Sequence, residues 1–439
     1  AHMLRLTAMS LGFCPLEGLL LCVASRAFRL WTLARSLRRA LFMSSTPALT
    51  GLVEKTQLLV VGAGPVGLFA GLCAARRGLD VTLIERNFRG CEHGHASILH
   101  PSSMRLLAEH GLSSQLHAAG RAIDRIELRV DGVLVKSLDL PMPALSISQG
   151  ALEELLLKVL RENNVEIKTP YLATAFEQEP GGVRTHIQRR EPLGSPAHCE
   201  EWEGVEASSI DSAFVIGADG YNSCVRVALG LDNLDVAATE LFAMFEGPDA
   251  GTGGALELAF ATGLGSLRMP LPKQRARWGF QLVSALEGTP NLAQLQALAH
   301  ARLSWRALPE QVEWSTATHF ERRLARAFGD ERVWLAGDAA HITSPFGGQS
   351  MNGGLTEVHD LVDRMADCLA RGKPLETLQQ LGAAREREWA KLLGFKVEFQ
   401  SPEHAPAWLH EHARRIIPAL PVSGLDLQHL MRELGVTIR

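Results

Sequence analysis

Hydrophobic and polar positions change period along this chain, and each change marks an element. Gln57-Leu58-Leu59-Val60-Val61 is a short run of strand formers that stops at a glycine-rich turn. Pro65 follows, where a first helical turn tolerates its missing N–H, and Leu68, Leu72 and Ala75 carry an apolar stripe to Gly78. Asp80 to Glu85 returns to strand texture through Val81, Leu83 and Ile84, so this stretch reads as one βαβ unit. Helices are expected over 102–118 and 149–161; in the second, Leu152, Leu155, Leu156, Val159 and Leu160 recur at helical spacing behind Ser148, a good N-cap. Between them Ile126 to Val130 and Val133 to Leu138 flank Asp131-Gly132, a two-residue hairpin signal. Strand and turn texture runs from Val165 to Ile216, with Gly181-Gly182 and the polar stretch 189–203 as hairpin tips. Residues 232–320 alternate strand-like pieces, such as 255–260 and 278–283, with one helix over 292–305, and read as a separate β-rich lobe. The apolar strand Val333-Trp334-Leu335-Ala336 ends in Gly337-Asp338, and from Gly353 onward the chain is mainly helical.

Composition narrows the class. A chain of 439 residues suggests two or three domains at about 150 residues each, and 46 % hydrophobic with 21 % charged residues is a folding composition. The net charge of -4, with no Lys/Arg run interleaved with aromatics, argues against nucleic acid as a partner. Seven cysteines without a Cys-x-x-Cys pair favour reduced thiols, a cytoplasmic setting and no zinc. Residues 4–46 differ from the rest: six arginines stand against one acid, Glu17. The apolar run from Leu11 to Ala24 contains Pro15 and Glu17 and is too short for a hydrocarbon core of about 30 Å. Over 26–42, Phe28, Trp31, Leu33, Leu37 and Leu41 alternate with arginines as in a basic amphipathic helix that could touch a membrane. Three readings of this leader stay open: an extension without function, in which Ala1-His2 is a cloning remnant or Met43 the older start; a membrane-surface helix; and a transit peptide.

The chemistry starts at the first turn. A dinucleotide needs backbone N–H groups on its pyrophosphate, so side chains must be missing where the phosphates approach, as at Gly62, Gly64 and Gly67 in Gly62-Ala63-Gly64-Pro65-Val66-Gly67. Glu85 follows about 20 residues on, placed to accept from ribose hydroxyls. This motif does not separate NAD from FAD. Farther on, Asp338 ends an apolar strand, and the segment from Pro345 to Asn352 leads into a helix whose first N–H groups are free to face negative charge.

Two later segments, GADGYNSCVR at 217–226 and VWLAGDAAHITSPFGGQSMNGG at 333–354, join the first turn in order and spacing. Together they resemble the three fingerprints of the class A flavoprotein monooxygenases, the para-hydroxybenzoate hydroxylase-like family, over roughly residues 55 to 370. The resemblance implies an α/β, two-lobed fold: a Rossmann-like FAD-binding domain, an interleaved β-sheet substrate lobe and a C-terminal helical region. The corresponding boundaries are a basic extension over 1–54, FAD-binding parts at 55–232 and 321–365, the substrate lobe at 233–320 and helices over 366–439. It implies FAD, NADH or NADPH as a transient reductant, O2, and an aromatic substrate that receives one oxygen atom from a flavin C4a-hydroperoxide.

By the same resemblance FAD is held by Gly62, Gly64, Pro65, Val66, Gly67, Glu85, Arg86, His95, Ala96, Gln149, Asp219, Gly220, Asp338, Pro345, Gly348, Gln349, Ser350, Met351 and Asn352. Asp219 and Gly220 resemble the pair that also serves the passing nicotinamide. Gln149 resembles a position on the FAD pyrophosphate or ribityl, with a plain polar helix-entry residue as the lesser alternative, and Arg226 reads more as an anchor of its loop than as a substrate contact. His95 departs from the pattern, standing where many relatives carry arginine, and an imidazole is a weaker, pH-dependent phosphate partner. His341 reads as structural; His100 is balanced between a turn residue and a flavin-side contact. No acid or base is fixed by sequence: His95, His100 and Arg268 are the catalytic candidates.

In the β lobe, Arg268, Met269, Pro270, Pro272, Trp278 and Phe280 are candidate substrate wall, each also suited to plain core packing. Few charges there beyond Arg268, Lys273, Arg275 and Arg277 favour a polycyclic or apolar aromatic substrate; a small carboxylated phenol would need Arg268 as a clamp. An epoxidase on the same scaffold is not separable by these motifs, and a non-catalytic FAD-holding partner or sensor is the alternative of another class. The halogenase signature Trp-x-Trp-x-Ile-Pro is missing, since Trp278 is followed by Gly279 and Phe280.

Overall fold

The computed structural model describes residues 53–87, 98–192, 202–232, 234–249, 253–304, 309–395, 399–400 and 404–438. The basic leader, His95 and Ala96 lie outside them. An eight-stranded sheet is built around Glu54–Val61, which pairs in parallel with Val81–Ile84 on one side and Trp202–Gly217 on the other. The apolar run Leu58 to Val61 is buried because helix Pro65–Arg76 covers it, and that helix packs in turn beneath Gln349–Arg371. Parallel strands buried on both faces read as continuous apolar runs, which is why this unit was so legible. The strands stop together at Val61, Ile84, Gly217 and Leu335, so their carboxyl ends open onto one edge, where open α/β sheets bind ligands.

The second sheet has nine strands and departs from the sequence boundaries. It includes the hairpin Arg121–Val130 and Val133–Ser146, which falls within the 55–232 segment expected for the FAD-binding part; Leu128 pairs with Leu258 of Ala255–Ala261 in parallel. It also runs past residue 320, through Trp314–Ala325 to His341–Ile342. The turn signal itself is right: Asp131 and Gly132 both have positive φ, 47° and 82°. The expected helix over 102–118 is two helices, Pro101–Glu109 and Ser113–Ala119, broken at Gly111 with φ 80°. The helix expected over 292–305 is Leu292–Arg302. Ser148 caps Gln149–Glu162, its hydroxyl accepting from the Ala151 N–H at 3.2 Å.

One face of the second sheet carries Phe242, Met244, Leu256, Leu258 and Leu267 in a core shared with the C-terminal helices Ala407–Ala419 and Gly424–Leu434. The other carries Phe245, Trp278 and Phe280 under Leu292–Arg302.

Candidate functional site

A cleft of about 720 Å³ runs between the sheets. Gly64, Pro65, Val66 and Gln149 form one wall, Thr318 to Glu321 of the second sheet the other, and Asp338, Pro345, Gly348, Ser350 and Met351 the floor. A smaller cavity of about 170 Å³ shares Gly64, Arg86 and Gly220 with it and extends to Glu85, Tyr171 and Asp219. The larger volume falls in the range of cofactor pockets.

Its geometry fits a dinucleotide. A Cβ on Gly67 would lie 1.9 Å from the Gly62 carbonyl oxygen, so that glycine serves the turn itself. Gly64 is different: its backbone is ordinary, φ -73°, and a Cβ there would meet no protein atom within 4 Å. Nothing in the fold asks for glycine at 64, whereas a phosphate arriving at the helix N-terminus does. Across the cavity, Asp219 Oδ2 accepts from the N–H groups of Cys224 and Val225 at 2.7 and 3.2 Å, while its Oδ1 is buried without a partner. An orphaned carboxylate oxygen is costly to bury, and a ligand hydroxyl is what would satisfy it. The carboxylate of Glu85 accepts from Ala63 N–H at 2.8 Å, bracing the turn from the next strand.

Asp338 is open to the cleft yet sunk among protein atoms, and that surrounding pushes its carboxyl above the usual range, with His341 and the Ser350 hydroxyl pulling the other way. Its turn is held from below by Glu357. The Glu357 carboxylate accepts from Gly337 N–H at 3.0 Å and from the Trp389 indole at 2.6 Å, and the His341 imidazole Nε2 lies 2.7 Å away. Burial opposes its ionisation, but His341 and these donors outweigh it and hold the carboxyl below its ordinary value. Arg226 ties the second and third motifs together, donating to Ala339 O and Tyr221 O, both at 3.0 Å. It is a buried anchor of that loop, and His341 is structural, stacked on Trp389 at 3.6 Å.

Several expected contacts lie elsewhere. Gln349 is buried and donates to Leu420 O and Val422 O at 2.7 and 3.0 Å, fastening the C-terminal segment instead of facing the cleft. Asn352 donates to Ile98 O and Gly348 O and accepts from His100 N–H, all within 2.8 Å, so it locks three segments together. His100 is fully buried with Nε2 on Gly347 O at 2.8 Å; of its two readings the turn residue is the one the geometry favours, and burial lowers its pKa to about 4. Arg268 is 1 % exposed and ion-paired with Glu257 at 2.8 Å and with Asp249. It pairs across strands with Trp278, so it points to the helix-covered face of the sheet, away from a clamp position. Trp278 and Phe280 share that face, and Met269 is buried in the core of the other. Sequence shows the alternation along a strand but not which face looks inward.

The residues that sequence reasoning missed are Glu357, Phe320 and the Tyr221–Arg323 pair. Glu357 left a signal: it lies three residues after Gly354 and four before Leu361, so an acid falls on the buried stripe of its helix.

A family model described as FAD binding domain matches residues 55–393. Among curated proteins, the chain is 27 % identical over 340 residues to the uncharacterized aromatic compound monooxygenase YhjG of Bacillus subtilis (strain 168), covering 74 % of this chain and 64 % of that protein. It is 27 % identical over 340 residues to 6-methylpretetramide 4-monooxygenase of Streptomyces rimosus, covering 75 % and 58 %. The chain thus spans less than two thirds of the length of these relatives. In fold it is similar to p-nitrophenol 4-monooxygenase from Pseudomonas putida DLL-E4, with TM-score 0.67, 20 % identity and coverage of 87 % and 99 %. It is also similar to aklavinone-11 hydroxylase with FAD and aklavinone, with TM-score 0.63, 21 % identity and coverage of 78 % and 68 %.

Proposed function

From the premise that the chain belongs to the FAD binding domain family, we propose that it is an FAD-dependent, NAD(P)H-consuming monooxygenase that hydroxylates an aromatic or polycyclic, largely apolar substrate. The observation that carries this reading is a continuous cleft leading from the glycine turn, past Asp338, to the strand of the second sheet that bears Phe320. FAD supplies the hydride acceptor for the nicotinamide and the activation of O2.

The chain's own residues bind, orient and exclude. Gly64 leaves room for phosphate, Glu85 and the free oxygen of Asp219 suit sugar hydroxyls, and Asp338 would hold the reactive end from the floor. Gly348, Ser350 and Met351 bring the start of Gln349–Arg371 to the cleft, where unbonded N–H groups favour developing negative charge. Phe320 and the strand around it keep water from the opposite side. We place the reaction in the cytosol, a proposal in keeping with free thiols at Cys73, Cys224 and Cys368.

The test is purification followed by a visible flavin spectrum and a panel of phenols, naphthols and polycyclic quinols, reading NADH or NADPH oxidation together with O2 uptake. At least tenfold stimulation by some member, with a hydroxylated product by mass spectrometry, is expected. A flavin-loaded protein whose NAD(P)H oxidation no aromatic compound accelerates would sink the enzyme reading and favour a flavin-holding partner. An epoxide or its diol as product would turn the reading to epoxidation.

A further inference from the structure

Glycine inside a strand weakens it and marks a place where something must approach closely. Gly265 and Gly279 are two such residues, on neighbouring strands Leu264–Leu271 and Arg275–Leu282, and neither has a positive φ that would explain it. Gly279 pairs with Leu267 and Gly265 lies diagonal to it, so both share the face of the sheet that bears Phe242 and Met244. A Cβ on Gly265 would lie 3.0 Å from Cε2 of the Phe346 ring, and one on Gly279 3.0 Å from its Cε1. The two glycines form a socket, and Phe346, 5 % exposed, lies in it edge-on to Phe242 with ring centroids 4.9 Å apart.

Around the socket stand Met244 Sδ, Leu267, Phe260 and the amide oxygen of Gln281. That amide is fixed by donating to Glu240 at 3.0 Å. Pro345 and Gly348, on either side of the Phe346–Gly347 step, line the cleft, as does Phe320, which is edge-on to Phe242 at 5.6 Å. Behind the socket the sheet is covered by Leu292–Arg302. On the socket's own face the helix Ala407–Ala419 packs in the same core as Phe346, so the cleft-lining neighbours Pro345 and Gly348 mark the side from which a ring would enter.

We propose that this socket seats the aromatic ring of the substrate and that Phe346, which fills it otherwise, is the specificity-determining residue that sets the ring size accepted. The inference rests on the monooxygenase reading above. The socket has the shape of a flat ring because it already holds one. Its walls are apolar, and its rim carries Gln281 Oε1, which already accepts from Gly265 N–H at 3.0 Å and keeps a second lone pair for a ring hydroxyl; the class is therefore a phenol or a fused-ring phenol. Substrate and Phe346 exclude each other, so every ring bound is bound against the cost of moving Phe346 out.

Phe346→Ala removes that competitor and leaves an apolar hole of the kind that takes up benzene-sized ligands. The measurement is ligand affinity without turnover, by flavin difference spectra and thermal shift, for phenol, 1-naphthol and an anthracenol. The expected result is at least tenfold tighter binding of the two larger phenols in Phe346→Ala, a smaller gain in Phe346→Leu, and loss of the gain when Gly279→Val is added. Unchanged affinities at all three ring sizes, or a gain that survives Gly279→Val, overturns the proposal. If Phe346→Ala does not load flavin, Phe346→Leu decides by the same criteria. Since the readout is binding, a failure of substrate-stimulated NAD(P)H oxidation would count against the activity and leave the socket to be judged on its own.

Discussion

A methyl group at Gly64 would touch no protein atom, and its backbone is one that any residue adopts. Substitution there separates cofactor binding from folding. Gly64→Val is expected to weaken FAD binding at least tenfold while the apoprotein melts within about 2 °C of the parent, since surface changes without new strain cost within about 0.5 kcal/mol. Fluorescence titration of apoprotein with FAD, beside a melting curve, checks both halves. His100 gives a pH test. Burial holds it at about 4 in the folded protein against 6.5 in the open chain, so the unfolded state takes up a proton that the folded state refuses. Its contribution is intact above pH 6.5 and is lost as pH falls from 6.5 toward 4, by roughly 3 kcal/mol at the low end. Urea unfolding at pH 7, 5.5 and 4.5 should show that slope, reduced in His100→Gln; an identical slope in the variant would count against it. The sequence could not decide His100, because its partners, Gly347 O and Asn352, lie some 250 positions away.

Elements show the same division between local and distant information. The fingerprint strand and helix, the Asp131-Gly132 hairpin and the Ser148 cap were legible because each is set by residues within one or two turns of chain. The sheet that the hairpin joins was not, since Leu128 meets Leu258 through a pairing that no local pattern encodes. The glycine turn and the Asp338 turn of the candidate site were legible for the same local reason, while Gln349 and Asn352, inside a readable motif, turned out to hold chain segments. Helix Gln349–Arg371 matters most here, because Glu357 on its buried stripe supports the Asp338 turn. Glu357→Ala would strand the Gly337 N–H, the Trp389 indole and His341 without a partner, at a cost of about 3–5 kcal/mol. Glu357→Gln keeps an acceptor and should recover part of it. A melting point for Glu357→Ala within 2 °C of the parent would show that the hub does not bear on stability.

At the scale of the molecule, the two sheets meet along the cleft, and its mouth is bridged by side chains from both. Tyr221, in the loop after Trp202–Gly217, lies under the Arg323 guanidinium at 3.8 Å, and its hydroxyl donates to Glu321 at 3.3 Å; Arg323 also pairs with Glu321 and reaches that hydroxyl. Tyr221 and Glu321 both line the cleft. Tyr221 is 41 % exposed and Arg323 and Glu321 are half-buried, so solvent still reaches the bridge: a cation–π contact open to water contributes about 0.5–1 kcal/mol and a solvent-screened ion pair about 1. Such a bridge is too weak to decide whether the protein folds. It is strong enough to change how often the cleft opens, because 1.4 kcal/mol is about tenfold in an opening equilibrium. Arg323→Ala is therefore expected to leave the melting point within about 2 °C and to raise the rate of FAD loss on dilution by roughly three- to tenfold, with Tyr221→Ala matching it and the double variant no worse than either. Stopped-flow recovery of flavin fluorescence measures that rate. Additive effects in the double variant would show two independent contacts, and the reading of one clasp across two lobes would fall.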